Sequence, residues 1–177
     1  MSSRLKKNAG KMTESDAIVY RPIGIVRSPV KEPRDALNQP HRGKGISGTI
    51  VLNPDLREAL DDLEGFSHII LLCHLHLSRG FSLKVIPHRE NEYRGMFATR
   101  TPRRPNPIGL SVVRLDRIEG NVLHISNLDI IDGTPVLDIK PFVPHFDDTD
   151  DFRIGWLTGR SSRTDDGNAD DRFHREE

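Results

Sequence analysis

Three arginines and one asparagine lie close together in one proline-rich stretch, Gly95–Ser111, which we call the proline segment. Pro102, Pro105 and Pro107 lack an N–H donor and fix φ, so the middle of this stretch is neither an internal helix nor a central strand. Polar side chains on such a stiff loop are suited to holding an anion or a polar ligand: Arg100, Arg103, Arg104 and Asn106. The alternative is a surface connection whose arginines are only solvated.

Two histidines and a cysteine are the next candidates for chemistry. His74 and His76 are two residues apart in an apolar run, and this spacing predicts that they share one face of a strand. The pair could bind a metal, but no cysteine or carboxylate lies at ligand spacing, so no metal is expected. Cys73, the single cysteine of the chain, is interpreted as a core residue because it sits in the same apolar run.

Four stretches in a fixed order resemble the signatures of the TrmO family, also called TsaA-like proteins. The proline segment reads Ala-Thr-Arg-Thr-Pro and then Arg-Pro-Asn-Pro-Ile-Gly-Leu-Ser, with Thr101 where the family carries serine. The other three stretches are Gly24–Pro29 (Gly-Ile-Val-Arg-Ser-Pro), Phe66–His68 (Phe-Ser-His) and Asp132–Pro141. The resemblance spans roughly Ile18 to Phe146, and on it the chain is identified as a member of the family.

Membership implies a mainly β fold, a TsaA-like β-barrel with one or a few short helices, that binds S-adenosylmethionine. It further implies N6-methylation of threonylcarbamoyladenosine in tRNA next to the anticodon, and a homodimer with the cofactor site at or near the subunit interface. The alternatives are a non-catalytic regulatory module that binds S-adenosylmethionine or a nucleotide, and methyl transfer to another small acceptor. No Gly-x-Gly-x-x-Gly turn follows any predicted strand, which disfavours a Rossmann-type methyltransferase.

The resemblance also assigns roles to particular positions. It places cofactor contacts at Asn38, Gln39, Pro40, His76, Leu77, Arg100, Leu110, Asp129, Ile130, Ile131, Asp132, Gly133 and Thr134. Arg103, Arg104 and Asn106 could hold a phosphate and the edges of a modified base. Asp138 and Lys140 lie two apart on a predicted strand: either one of them orients or deprotonates the acceptor nitrogen, or they form a structural ion pair with Arg103 or Arg104.

Length and charge limit the possibilities further. With 177 residues the chain is long enough for one well-buried domain, and its formal net charge is zero. An RNA-binding surface is therefore expected to be local, and no DNA partner is expected. No stretch approaches the roughly 20 apolar residues that span a bilayer, so we expect a cytoplasmic protein without a membrane segment. Polar composition predicts mobile tails at 1–17 and 158–177 around a domain at 18–157.

Within that domain, short apolar runs predict strands that could position these side chains. The runs are Ile18–Val26, Gly48–Leu52, Phe66–Leu77, Leu110–Ile118, Val122–Ile130 and Val136–Lys140, and Glu119-Gly120-Asn121 between the fourth and fifth runs predicts a hairpin. The third run lacks a polar face, which predicts a strand buried on both sides. A helix is predicted to start at Asn53-Pro54 and to stop at Gly65. Many short strands with one helix favour a barrel, with long irregular loops at Val30–Gly45 and Ser78–Gly95.

Overall fold

The computed structural model describes residues 17–32, 45–87, 90–144 and 153–158. The predicted tails, apart from Ala17 and Thr158, lie outside the described residues. The strands are β1 (Gly24–Arg27), β2 (Ser47–Leu52), β3 (His68–His74), β4 (Lys84–Val85), β5 (Arg94–Gly95), β6 (Ile108–Glu119), β7 (Val122–Ser126) and β8 (Pro135–Pro141). Short 3-10 helices lie at Pro54–Leu60, Leu63–Gly65, Met96–Ala98 and Gly155–Leu157.

Six strands close into a barrel in the order β1-β2-β7-β6-β3-β8, and every neighbouring pair is antiparallel. The predicted mainly β barrel is therefore confirmed. β6 and β7 form the predicted hairpin around Gly120 and Asn121. β4 and β5 pair with each other in a separate two-stranded sheet.

β3 is central to the barrel because it pairs with β6 on one side and β8 on the other. Its alternate residues Ile69, Leu71 and Cys73 point into the barrel and are at most 2% exposed. The side chains between them lie on the outer face and are partly exposed. The prediction that this strand is buried on both faces was wrong, because a closed barrel offers each strand only one packed interior face.

Other element boundaries also differ from the predictions. β1 begins at Gly24 rather than Ile18, and residues 17–23 are not in a strand. β7 ends at Ser126, because Asn127 adopts a left-handed backbone with φ of 60°. Leu128 and Ile130 nevertheless remain buried in the core cluster. The apolar run therefore continues to Ile130 because these side chains are buried, although the strand itself ends at Ser126.

The predicted helix is present but is of the 3-10 type. The Asn53 side chain accepts a hydrogen bond from the Asp55 N–H, Pro54 occupies the start, and Leu60 is buried. The helix ends at Leu60, and a second one at Leu63–Gly65 follows the left-handed Asp62. In the described ranges, no helix is long and apolar enough to cross a membrane.

Candidate functional site

The segment after β3, Leu75–Arg79, lies between the proline segment and the turn that precedes β8. The Leu75 N–H donates to the Pro107 carbonyl at 2.8 Å, and the Ser78 hydroxyl donates to the Pro102 carbonyl at 2.9 Å. On the other side, His76 Nδ1 is 3.4 Å from the Thr134 hydroxyl. Two regions that sequence analysis assigned to the same site are thus joined through one short connection.

His76 does not lie on a strand with His74. β3 ends at His74, and the chain turns at His76 and Leu77, so the predicted shared strand face was wrong. Burial, followed by the nearby His74 and Arg79, lowers the pKa of His76. A ring with a lowered pKa is neutral at pH 7, and a neutral ring does not repel a cationic ligand.

The turn Asp129–Thr134, which we call the acidic turn, is tied to the end of β1. Asp132 N–H donates to the Val30 carbonyl at 2.7 Å, and Gly133 N–H donates to the Val26 carbonyl at 2.9 Å. Gly133 has a φ of 76°, a conformation that side-chain-bearing residues rarely adopt. These bonds fix the backbone of the acidic turn against the barrel.

The Asp132 carboxylate anchors the start of the first predicted loop. Its Oδ1 accepts the Ser28 N–H at 2.9 Å, and its Oδ2 lies 3.0 Å from Lys31 Nζ. The Ser28 hydrogen bond, and after it the Lys31 interaction, lowers the pKa of Asp132. Asp132 therefore remains ionised and holds residues 28–31 in place, while the predicted contacts Asn38, Gln39 and Pro40 lie outside the described residues.

Asp129 supplies a half-buried carboxylate near the end of β3. Ser111 lies opposite Leu71 in the sheet, so it faces the barrel interior, and its hydroxyl donates to Asp129 Oδ1 at 3.0 Å. Burial raises the pKa of Asp129, and the Ser111 bond partly opposes that rise. Burial, with the Asp129 charge, raises the pKa of Cys73 to about 12, so its thiol is a core group and not a nucleophile.

Ser111 was missed by sequence reasoning, which treated it as the last residue of the proline segment. The available signal was a hydroxyl two residues from Gly109 and Val113, on the inward face of β6. A hydroxyl on an otherwise apolar inward face requires a partner, and Asp129 provides it.

The arginines of the proline segment have different environments. Arg104 Nη1 donates to the Thr99 carbonyl at 2.9 Å and lies 3.5 Å from the Met96 carbonyl, so this side chain holds the loop itself. Arg103 is half-buried and Arg100 is exposed. Among the described residues, no hydrogen bond or ion pair occupies the Arg100 guanidinium, so it is available to a ligand.

A second contact that holds the proline segment comes from residues 153–158, and we call it the Trp156 clamp. The Trp156 indole N–H donates to the Ala98 carbonyl at 2.8 Å, and the Arg94 guanidinium lies 5.3 Å from the centroid of the indole ring. Arg94 also pairs with Glu92 at 2.6 Å. Sequence analysis placed the end of the domain here but did not assign Trp156 to the site.

Three predicted site residues lie on the outer face of the barrel, namely Leu110, Asp138 and Lys140. Leu110, Leu72 and Asp138 are aligned across β6, β3 and β8, which separates Leu110 from Asp138 by roughly 10 Å. Asp138 Oδ2 is 2.8 Å from Lys140 Nζ, and Asp138 Oδ1 accepts the Ile139 N–H at 2.9 Å. The ion-pair partner of Asp138 is therefore Lys140, on its own strand.

The candidate site thus has two parts. The first is the junction of His76, Leu77, Thr134 and the proline segment, and the second is the outer face that carries Leu110, Asp138 and Lys140. Asn106, in the proline segment, is exposed. In the part of the chain that the structure describes, no three His, Cys, Asp or Glu side chains gather as a metal site.

Comparisons with known proteins identify the family of the chain. A family model described as the tRNA-methyltransferase O N-terminal domain matches residues 25–148. The chain is 51% identical over 156 residues to a probable S-adenosyl-L-methionine-binding protein of Pyrococcus abyssi, covering 88% of this chain and 85% of that protein. It is 38% identical over 135 residues to the tRNA (adenine(37)-N6)-methyltransferase of Escherichia coli K12, covering 71% of this chain and 57% of that protein.

A solved structure gives the same result. The crystal structure of TrmO from Pseudomonas aeruginosa superposes with a TM-score of 0.69 at 42% identity, covering 80% of this chain and 63% of that chain. The chain therefore spans less than two thirds of the length of TrmO from P. aeruginosa and of the E. coli enzyme.

Proposed function

The chain belongs to the TrmO family, and from that premise we propose that it transfers a methyl group from S-adenosylmethionine to tRNA. The proposed acceptor is the N6 atom of threonylcarbamoyladenosine next to the anticodon. Support for the reaction comes from relatives named tRNA (adenine(37)-N6)-methyltransferases, and support for the cofactor from relatives named S-adenosyl-L-methionine-binding proteins. Because its substrate is tRNA, the protein is proposed to act in the cytoplasm.

The observation that carries the proposal is the position of Leu75–Arg79 between the proline segment and the acidic turn. S-adenosylmethionine has a cationic sulfonium, a carboxylate and an adenine. Asp129 is the half-buried carboxylate suited to the cation, and Arg100 is the exposed guanidinium suited to the carboxylate. The neutral His76 ring and Leu77 offer polar and apolar contacts without a repelling positive charge. The residues present therefore fit the cofactor.

The residues of this chain contribute mainly orientation and exclusion of water. Methyl transfer is an in-line displacement, and a bound methyl donor supplies the reactive group. We assign proton acceptance from the substrate nitrogen to the Asp138 carboxylate, which Lys140 holds at 2.8 Å. Arg104 and Trp156 act indirectly, because they fix the backbone that carries Arg100.

An assay with methyl-labelled S-adenosylmethionine tests the proposal. The purified protein is incubated with tRNA that carries unmethylated threonylcarbamoyladenosine, and in parallel with a small-molecule extract. Label in the tRNA, at N6 of that nucleoside by mass spectrometry, is the expected result. Label only in a small molecule, or binding of the cofactor without transfer to either, would contradict the proposal and favour another acceptor or a regulatory module.

Arg100→Ala will weaken S-adenosylmethionine binding by roughly 1.5–3 kcal/mol, the usual contribution of a hydrogen bond to a charged group. The fold should survive, because Arg100 is exposed on a loop. Titration calorimetry measures the affinity, and thermal unfolding checks the fold. Arg57→Ala is the matched control, since Arg57 is an exposed arginine on the 3-10 helix at Pro54–Leu60. Equal affinity for the wild type and Arg100→Ala would remove Arg100 from the site.

We further propose a homodimer formed through the outer face of β3 and β6. This face presents Ile70, Leu72, Ile108, Leu110 and Val112 in register, with Leu110 58% exposed. Asp138 and Lys140 flank it, so two copies related by a twofold axis can exchange opposite charges across the rim. Because Leu110 is also a proposed cofactor contact, the cofactor would lie at or near the interface.

Dilution should therefore weaken cofactor binding, and saturating cofactor should tighten the dimer, because the two equilibria are linked. Sedimentation at a series of protein concentrations, with and without S-adenosylmethionine, measures both effects. Leu110→Asp places a charge in the proposed interface and should shift the protein to monomer. A monomer with the same cofactor affinity at every dilution would defeat the dimer proposal without touching the methyl-transfer proposal.

A further inference from the structure

Phe97 is a large aromatic residue that the fold leaves 79% exposed. It lies in the 3-10 helix at Met96–Ala98, whose first residue, Met96, is only 2% exposed and anchors the helix. The Arg104 guanidinium lies over the Phe97 ring, 5.5 Å from its centroid. One face of the ring is thus covered by a cation, and the rest of the side chain lies at the surface.

The group beneath the ring is itself fixed. Arg104 Nη1 donates to the Thr99 carbonyl at 2.9 Å and lies 3.5 Å from the Met96 carbonyl. The Thr99 hydroxyl donates to the same Met96 carbonyl at 2.8 Å. On the other side, the Trp156 indole holds the Ala98 carbonyl. The ring is therefore held by its neighbours before any ligand arrives, which is typical of a preorganised contact.

The surroundings of the ring are both apolar and basic. Met96 N–H donates to the Leu83 carbonyl at 3.0 Å, which places the 75% exposed Leu83 beside the same helix. Lys84 pairs with Gly95 in the β4–β5 sheet and is exposed. Arg100 follows Phe97 by three residues, so their Cα atoms are at most roughly 11 Å apart. An exposed aromatic ring beside basic side chains is the combination that binds single-stranded nucleic acid.

We propose that Phe97 is a stacking platform for an unpaired base of the RNA substrate. Stacking on aromatic rings is the main way in which proteins hold unpaired bases, and Arg104 on the opposite face fixes the orientation of the ring. Lys84, which is exposed and pairs with Gly95 two residues before Phe97, supplies the adjacent positive charge for the RNA backbone. The inference rests on the proposed function, because it assigns to the RNA a surface in the same segment as the proposed cofactor contact.

The test compares Phe97→Leu with Phe97→Trp. Binding is measured by fluorescence anisotropy with a labelled anticodon stem-loop RNA, and with a fully paired duplex that has no unpaired bases. Phe97→Leu should weaken stem-loop binding between about 5-fold and about 150-fold, the range that corresponds to loss of one base–aromatic stack. Phe97→Trp should retain it. Duplex binding should be nearly the same for all the proteins.

Three further readouts separate stacking from structural damage. Affinity for S-adenosylmethionine and the melting temperature of Phe97→Leu should match those of the wild type, because the side chain is exposed. In the methylation assay, KM for tRNA should rise while kcat changes little. Phe66→Leu is the matched control and should bind the stem-loop as the wild type does, because Phe66 is an exposed phenylalanine just before the start of β3, whereas the proline segment contacts the end of β3.

The outcomes distinguish this inference from the proposed function. A wild-type protein that methylates tRNA, with a Phe97→Leu variant that binds the stem-loop equally well, overturns the platform alone. A change in sedimentation of Phe97→Leu would instead assign the ring to an interface between copies of the chain, and would also overturn it. A wild-type protein that neither binds the stem-loop nor methylates tRNA overturns both proposals.

Discussion

Asp129→Asn will weaken S-adenosylmethionine binding by about tenfold, the loss expected for a contact to a charged group, and at the same time will stabilise the folded protein at neutral pH. The two effects have one cause. Burial raises the pKa of Asp129, so the ionised carboxylate is costly in the fold, and it is retained because the proposed ligand is a cation. Asparagine removes the charge, but its amide oxygen can still accept the Ser111 hydroxyl.

The pH dependence of stability follows from the direction of that shift. As the pH rises, the unfolded chain releases the Asp129 proton at the ordinary aspartate pKa of about 3.9, whereas the folded protein keeps that proton to a higher pH. The contribution of this group to stability is therefore complete below about pH 4 and is lost as the pH rises through the folded-state pKa. Asp129→Asn should show its greatest advantage in urea unfolding above that pKa, and almost none at pH 4.

Asp116→Asn is the matched control for Asp129→Asn. Asp116 also accepts a serine hydroxyl, from Ser126 at 3.1 Å, but the pair is exposed on the β6–β7 hairpin. Its replacement should change neither cofactor affinity nor stability by more than about 0.5 kcal/mol. If Asp129→Asn destabilised the protein at neutral pH, the carboxylate would be a structural group, and its proposed role toward the cofactor would fail.

Gly48→Ala will destabilise the barrel by about 3 kcal/mol or more, at the upper end of the cost of overpacking. A Cβ atom at Gly48 would lie 2.5 Å from the Arg27 carbonyl oxygen and 2.6 Å from Leu128 Cδ2. The Arg27 carbonyl belongs to the neighbouring strand β1, which is paired with β2 and cannot move without loss of register. The Leu128 side chain could shift, but the shorter contact is to the Arg27 backbone, which cannot.

Gly65→Ala provides the comparison. A Cβ atom there meets nothing within 4 Å, so the substitution should leave stability unchanged or increase it by about 0.4–1 kcal/mol. Urea unfolding of both variants at one pH measures the difference. If Gly48→Ala unfolded at the same urea concentration as the wild type, the close approach of β1 and β2 would not be a rigid feature of the barrel.

Local signals predicted the local parts of this fold. Asn53-Pro54 correctly marked a helix start, and Glu119-Gly120-Asn121 correctly marked the β6–β7 hairpin, because each depends on neighbouring residues. The closed order of the six strands could not be predicted in this way, since β3 pairs with β6 and β8 across long stretches of chain. The predicted strand Phe66–Leu77 was too long, because Pro107, which lies opposite Leu75, has no N–H to return a hydrogen bond, and regular pairing therefore ends at His74 and Ile108.

The candidate site shows the same limit. The proline segment stands out in the sequence, but the use of Arg104 within the loop depends on the folded backbone. Ser111 and Trp156 were missed because their partners, Asp129 and Ala98, lie 18 and 58 residues away in the chain. Residue types indicated a polar site, whereas the pairing of those residues became visible only in three dimensions.

The Trp156 clamp has a practical consequence, because Trp156 is the only tryptophan in the chain. Its indole N–H is bonded to the carbonyl of Ala98, next to Phe97 and two residues from Arg100. The intrinsic fluorescence of the whole protein under tryptophan excitation therefore originates at one position, beside the proposed ligand-binding loop. Emission wavelength and quenching become a label-free record of how tightly that loop is held, in the native sequence and without an added dye.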